Sequence, residues 1–315
     1  MNKTMLLRLL AVLGYVAGAL VLGTLTAVWV LTFLPADSVL LEKGPTKFAR
    51  RCMMIWGLLL APLFVVGLGT FRKADHGWTP WDGYTLRRRG WRLVVAGFLL
   101  GLLTLGTVML LALLFGSRQW NVSYATPKLA LKLCFEYPLR VLVLAIFEET
   151  VVRGYLLRGL CRGFGAWIAI GLSSGLFALL HFIYPAPESF FGAGVFSDSG
   201  RALVSGLTAI VHEPRAAIQA CNLFLMATFL CLLTLRTGTI WPAAGVHAGW
   251  VWIKFTNGVV ADSNRTEETP WIFGTQSDHL DALMTTAILL FLSSAMAWSW
   301  HKARVASQQA SGYIP

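Results

Sequence analysis

Glu148 and Glu149 stand side by side in LALKLCFEYPLRVLVLAIFEETVVRGYLL, a stretch otherwise dominated by apolar residues. Ionisable side chains are costly in hydrocarbon, and those retained there face a polar cavity or a partner. His181 in SSGLFALLHF and His247 in WPAAGVHAGWVW are placed in the same way. A glutamate pair and two isolated histidines, each on a different apolar helix, form a candidate active site. A carboxylate with no cation beside it can serve as a general base.

Helical spacing separates the two glutamates. Residues four apart share a helix face, while adjacent residues point about 100° apart. Glu149 therefore meets Arg153 as an ion pair, and that pair alone is as well explained as a structural lock. Glu148 shares its face with Val151, Val152 and Tyr155 and is left for chemistry. His181 lies on a face with Ser174 and Phe177, which could fix its ring; His247 lies with Ala243, Ala244, Trp250 and Val251. Taken singly, either histidine is better explained as a packing residue. Only the combination points to a site.

The elements that must carry these residues are membrane helices. Of the 315 residues, 56% are hydrophobic and 13% charged, with a mean hydropathy of +0.65, whereas a soluble domain carries about a quarter charged residues. Runs of about 20 apolar residues fall near 9–34, 52–71, 92–115, 133–158, 166–184, 217–236, 239–258 and 279–300. The expectation is an all-α polytopic membrane protein of about eight spans. It divides into N-terminal helices with a basic loop (1–128), a core (129–262), and a last helix with a tail (263–315). Residues 185–215 mix turn formers with a short amphipathic stretch, suiting either a re-entrant element or a plain loop. The net charge of +11 and the 13 tryptophans fit basic cytoplasmic loops and interfacial aromatics. Basic residues scattered over short loops exclude a nucleic-acid partner. Their distribution favours both termini in the cytoplasm, with the bacterial cytoplasmic membrane as the location.

Small residues four apart (Gly14/Gly18, Gly97/Gly101, Gly171/Gly175, Gly245/Gly249) let helix backbones approach. The last two pairs lie on the helices bearing His181 and His247, so their approach would draw the imidazoles together. The five cysteines show no metal-ligand spacing and are expected to pack as small hydrophobes.

Glu148-Glu149-x-x-x-Arg153, then Phe177-x-x-x-His181, then His247 within RTGTIWPAAGVHAGW, occur in that order on successive helices. This arrangement resembles the CPBP family of intramembrane proteases, of CAAX-processing and bacteriocin-processing type, over roughly residues 130–260. The resemblance implies hydrolysis of a peptide bond near the C-terminal or membrane anchor of a membrane-anchored or lipidated protein. Glu148 would be the base, His181 would hold the same water, and His247 would stabilise the carbonyl oxygen. Glu149, Arg153 and Phe177 would support them, with no cofactor required. A zinc ion held by Glu148, His181 and His247 is the alternative mechanism. A transporter, or an immunity or scaffold protein keeping the motif for folding, is the alternative function. One position departs from the pattern: Val251 stands where many members carry Asn or Asp, and Lys254 is a candidate substitute one turn on.

Overall fold

The computed structural model describes residues 3–33, 90–120, 126–182, 207–263, 270–275 and 279–310, with 48, 52–53, 55–56, 59–60 and 204 besides. Most of the expected span at 52–71, the basic loop at 72–89 and most of 185–215 lie outside the described residues. The chain forms two compact units, one of residues 1–79 and 179–213, the other of 80–178 and 214–315.

In the first unit, α1 (Lys3–Phe33) is one long apolar helix. Gly23 faces the backbone of Met53, and the indole N–H of Trp56 donates to Thr26 Oγ1 at 2.8 Å. Ala27, Cys52 and Phe48 pack together nearby.

The second unit holds α2 (Gly90–Leu114), α3 (Pro127–Leu131), α4 (Tyr137–Glu149), α5 (Arg158–Phe164), α6 (Ala166–Leu180), α7 (Pro214–Thr237), α8 (Trp241–Val260), α9 (Pro270–Phe273) and α10 (Leu283–Ala310). Two π-helical stretches, Lys132–Glu136 and Thr150–Leu157, join α3 to α4 and α4 to α5. The residues at their boundaries keep helical dihedrals, so 127–164 is one continuous helical run. Gly165, at φ 79°, then turns the chain into α6, a conformation that glycine adopts without steric cost. Short strands Arg118–Trp120 (β1) and Ala261–Ser263 (β2) pair antiparallel beyond α2 and α8.

Among the described residues, α2, α7 and residues 283–306 of α10 are long and apolar enough to cross a membrane. The all-α expectation holds. The expected helix at 166–184 ends earlier, at Leu180, with His181 in the turn that follows.

The tightest contact in this unit is between α2 and α8, which run parallel. A Cβ on Gly97 would strike the Pro242 carbonyl, one on Gly101 the Val246 carbonyl, one on Gly245 the Val94 carbonyl, and one on Gly249 the Phe98 carbonyl. The two glycine pairs therefore face each other across a single seam. Among the described residues, a Cβ on Gly171 or Gly175 would meet nothing within 4 Å, so no described helix pairs with them as α2 pairs with Gly245 and Gly249. The seam is locked by Trp250, whose indole N–H donates to Thr104 Oγ1 at 2.8 Å. Because the obstacles are backbone carbonyls, they cannot rotate away. Gly245→Ala is expected to destabilise the fold by about 1–3 kcal/mol through overpacking. Thermal unfolding in detergent checks it, with Gly171→Ala, at an open position, expected to change little.

A buried polar knot ties the opposite end of this unit. His279 is fully buried at φ 53°, with Nδ1 2.7 Å from the Phe273 carbonyl and Nε2 2.8 Å from Asn257 Nδ2. A carbonyl can only accept, so Nδ1 carries the proton and Nε2 accepts from the amide. Asn222 Nδ2 donates to the Leu280 and Ala282 carbonyls at 2.7 and 3.0 Å. These bonds hold α7, α8 and the start of α10 in one register. None of these polar residues stood out in the sequence.

Candidate active site

The seam also fixes where His247 points. Residues two apart on a helix face about 200° apart, so with glycines 245 and 249 facing α2, His247 is aimed away from it. The far side is occupied by α4 and the π stretch after it. Val141 and Ala145 of α4 pack against Ala248, with Phe98, Leu142, Val251 and Trp252 around them. The first π stretch is anchored to α8 as well, its Leu133 carbonyl accepting from Trp252 Nε1 at 2.9 Å.

Glu149 is the hub of the site. It is fully buried, as is Arg153, and Arg153 Nη1 donates to Glu149 Oε1 at 2.8 Å. The same oxygen lies 2.9 Å from His247 Nδ1. The sequence showed the first of these contacts and missed the second, for nothing in residue spacing joins positions 98 residues apart. Arg153 also reaches the Ala227 carbonyl of α7 at 3.4 Å, and its guanidinium lies 4.6 Å from the centre of the Phe177 ring. Phe177 in turn meets His247 edge-on, with ring centres 6.1 Å apart. Phe177 thus packs on both the arginine and the histidine.

Glu148 differs from its neighbour as helical geometry required. Its side chain is 29% exposed, and its Oε2 lies 3.8 Å from His247 Nε2. The imidazole is therefore flanked on both nitrogens, by the buried carboxylate on Nδ1 and by the more open one on Nε2. The π-helical stretch begins at Thr150, directly after the pair; such local widening is frequent at functional sites.

His181 lies in the first unit, half-buried in the turn after α6. Ser174, expected beside it, accepts from Thr228 Oγ1 at 3.2 Å and lies 3.9 Å from Cys231 Sγ. Val251 is a packing residue of the apolar cluster above, and Lys254 is half-buried one turn further along. Among the described residues no three His, Cys, Asp or Glu side chains are grouped as metal ligands. Cysteine usage follows expectation in part: Cys52 and Cys231 are buried, whereas Cys134 and Cys221 are exposed on helix surfaces. Burial, then the neighbouring Cys231 thiol, push Cys161 up to about 11, so it supplies no thiolate nucleophile at neutral pH.

Apolar helices of membrane length with a polar Glu–Arg–His centre between them define a helical membrane protein with a built site. In comparison with known proteins, residues 130–253 match the model for the Rce1-like, type II CAAX prenyl endopeptidases. That segment is similar to this family, consistent with the CPBP grouping that the motif order implied. No curated protein and no solved structure matches the chain.

Proposed function

We propose that this protein is an intramembrane endopeptidase that cuts a membrane-anchored, lipidated protein near its C-terminal anchor, using a glutamate-activated water. The family supports membrane proteolysis in general. The observation that carries the finer reading is the imidazole of His247 set between two unlike carboxylates.

In this reading Glu148, the more accessible acid, takes a proton from water as its oxygen attacks the scissile carbonyl carbon. His181, assigned by motif order, is the second group on that water. Glu149 holds His247 through Nδ1. A ring with carboxylates at both nitrogens can carry a proton at each, which makes Nε2 a donor to the carbonyl oxygen as it becomes an oxyanion. When the tetrahedral intermediate collapses, the C–N bond breaks and the proton on Glu148 passes to the departing amine. Val251 offers no hydrogen-bond donor, so His247 carries the oxyanion side of this mechanism among the residues of its own face.

The test compares the C termini of membrane-associated proteins in cells lacking this protein and in their parent. Wild type is expected to restore the cleaved termini, and His247→Ala to leave them uncut at equal accumulation. Equal restoration by both would sink the proposal. Activity of the purified protein is expected to survive dialysis against a strong chelator; a loss reversed by added zinc would assign a metal mechanism instead.

A further inference from the structure

The end of the second unit where α2 and α8 begin is cationic and rich in tryptophan. Arg158 Nη2 donates to the Gly238 carbonyl at 2.7 Å, placing the start of α5 beside the α7–α8 turn. Arg236 Nε donates to Ser299 Oγ at 3.4 Å, bringing the end of α7 against α10. Trp167 at the start of α6 meets Trp300 edge-on, ring centres 5.1 Å apart. Lys302 Nζ lies 3.8 Å above the Trp298 ring, and Arg304 is stacked on Trp300 at 5.8 Å. The stretches 150–187, 214–261 and 282–315 contain no Asp or Glu. Among the described residues, α5, α6, the end of α7, the start of α8 and the end of α10 therefore bring several cations and no Asp or Glu to this end.

We propose that the seam between α7 and α10 at this end binds the headgroup of an anionic phospholipid. Ser299, which accepts from Arg236, and Lys302 are three residues apart and share a face of α10, so Arg236 and Lys302 both border that face. A phosphodiester there would be held by a guanidinium and an ammonium, with no Asp or Glu of α7 or α10 competing for either. The acyl chains have a surface to follow: Trp298 is 63% exposed and Phe291, two turns earlier along α10, 73% exposed. Tryptophan favours the membrane interface, and the cation–π contact holds Lys302 over the Trp298 ring. A free anion would use only the charges; a phospholipid uses the charges and the apolar flank together. An anionic leaflet on this side is the cytoplasmic one, which would put the C-terminal end of α10 in the cytoplasm. The inference does not depend on the proteolytic reading.

The full-length protein in detergent would be titrated with fluorescently tailed phosphatidylglycerol and, separately, with phosphatidylcholine. Saturable binding of phosphatidylglycerol, tighter than of phosphatidylcholine and weakened by salt, is expected. Lys302→Gln should weaken it about fivefold, and Arg236→Gln with Lys302→Gln roughly twenty-five-fold, each basic group near an anionic lipid contributing a similar factor. Lys302 is exposed, so the single variant decides the matter if the double variant fails to fold. Equal binding of the two lipids, an unchanged affinity in Lys302→Gln, or displacement of the lipid by inorganic phosphate would each overturn the proposal.

Discussion

Glu148→Gln is expected to abolish cleavage of a co-expressed lipidated substrate while the protein accumulates and unfolds as wild type does. The amide keeps the shape and polarity of the side chain and loses its capacity to take a proton, which as general base is worth about 10²–10⁴-fold in rate. Stability should change by less than about 0.5 kcal/mol, as for other partly exposed substitutions, because Glu148 stands 3.8 Å from His247 and outside the short-range bonds of the buried pair. Immunoblotting of the processed substrate reads the first quantity and thermal unfolding in detergent the second. Cleavage at wild-type rate in this variant would remove Glu148 from the chemistry. A non-enzymatic scaffold or transporter role would then become the better account.

Arg153→Met should have the opposite signature, a folding defect first and a loss of activity as its consequence. Arg153 and Glu149 are both inaccessible to solvent and joined at 2.8 Å. Removing one partner of such a pair leaves an uncompensated buried charge, at a cost of about 3–5 kcal/mol. The variant should accumulate poorly and unfold early. Exchanging both partners for apolar residues of similar volume, Arg153→Met with Glu149→Leu, should recover much of that stability, since a buried pair and its apolar replacement are often near neutral. Activity should not return, because His247 then loses the acceptor on Nδ1. If the double variant is as unstable as the single one, Glu149 has a further structural role beyond the pair. If it is both stable and active, the orientation of His247 by Glu149 is refuted.

Several parts of this architecture were legible in the order of residues. The inequality of the glutamates followed from helical spacing, because Glu149 and Arg153 lie within one turn of each other. Membrane-length helices followed from run length and composition, which set the cost of exposing backbone and charge to lipid. Which helices pair was hidden. Gly171/Gly175 and Gly245/Gly249 are equivalent as sequence, yet among the described residues only the second pair interlocks with another helix, at Gly97/Gly101. A small residue permits close approach without naming its partner. The end of α6 was also misjudged: apolar composition continues past Leu180, and hydropathy carries no marker for the turn that holds His181.

The sequence by itself determined the chemistry available: one free acid, one paired acid, two imidazoles and an apolar residue at 251. These depend on residue identity and on contacts within a turn, which local geometry dictates. The tertiary structure decided what those groups do to one another. The α2–α8 seam turns His247 away from the glycines, and Glu149 receives Nδ1 of His247 from 98 positions away. Glu149, which the sequence assigned to Arg153, is thereby also the group that orients the histidine. Such a contact arises from packing between helices distant in the chain, and only the folded arrangement of backbones can set it.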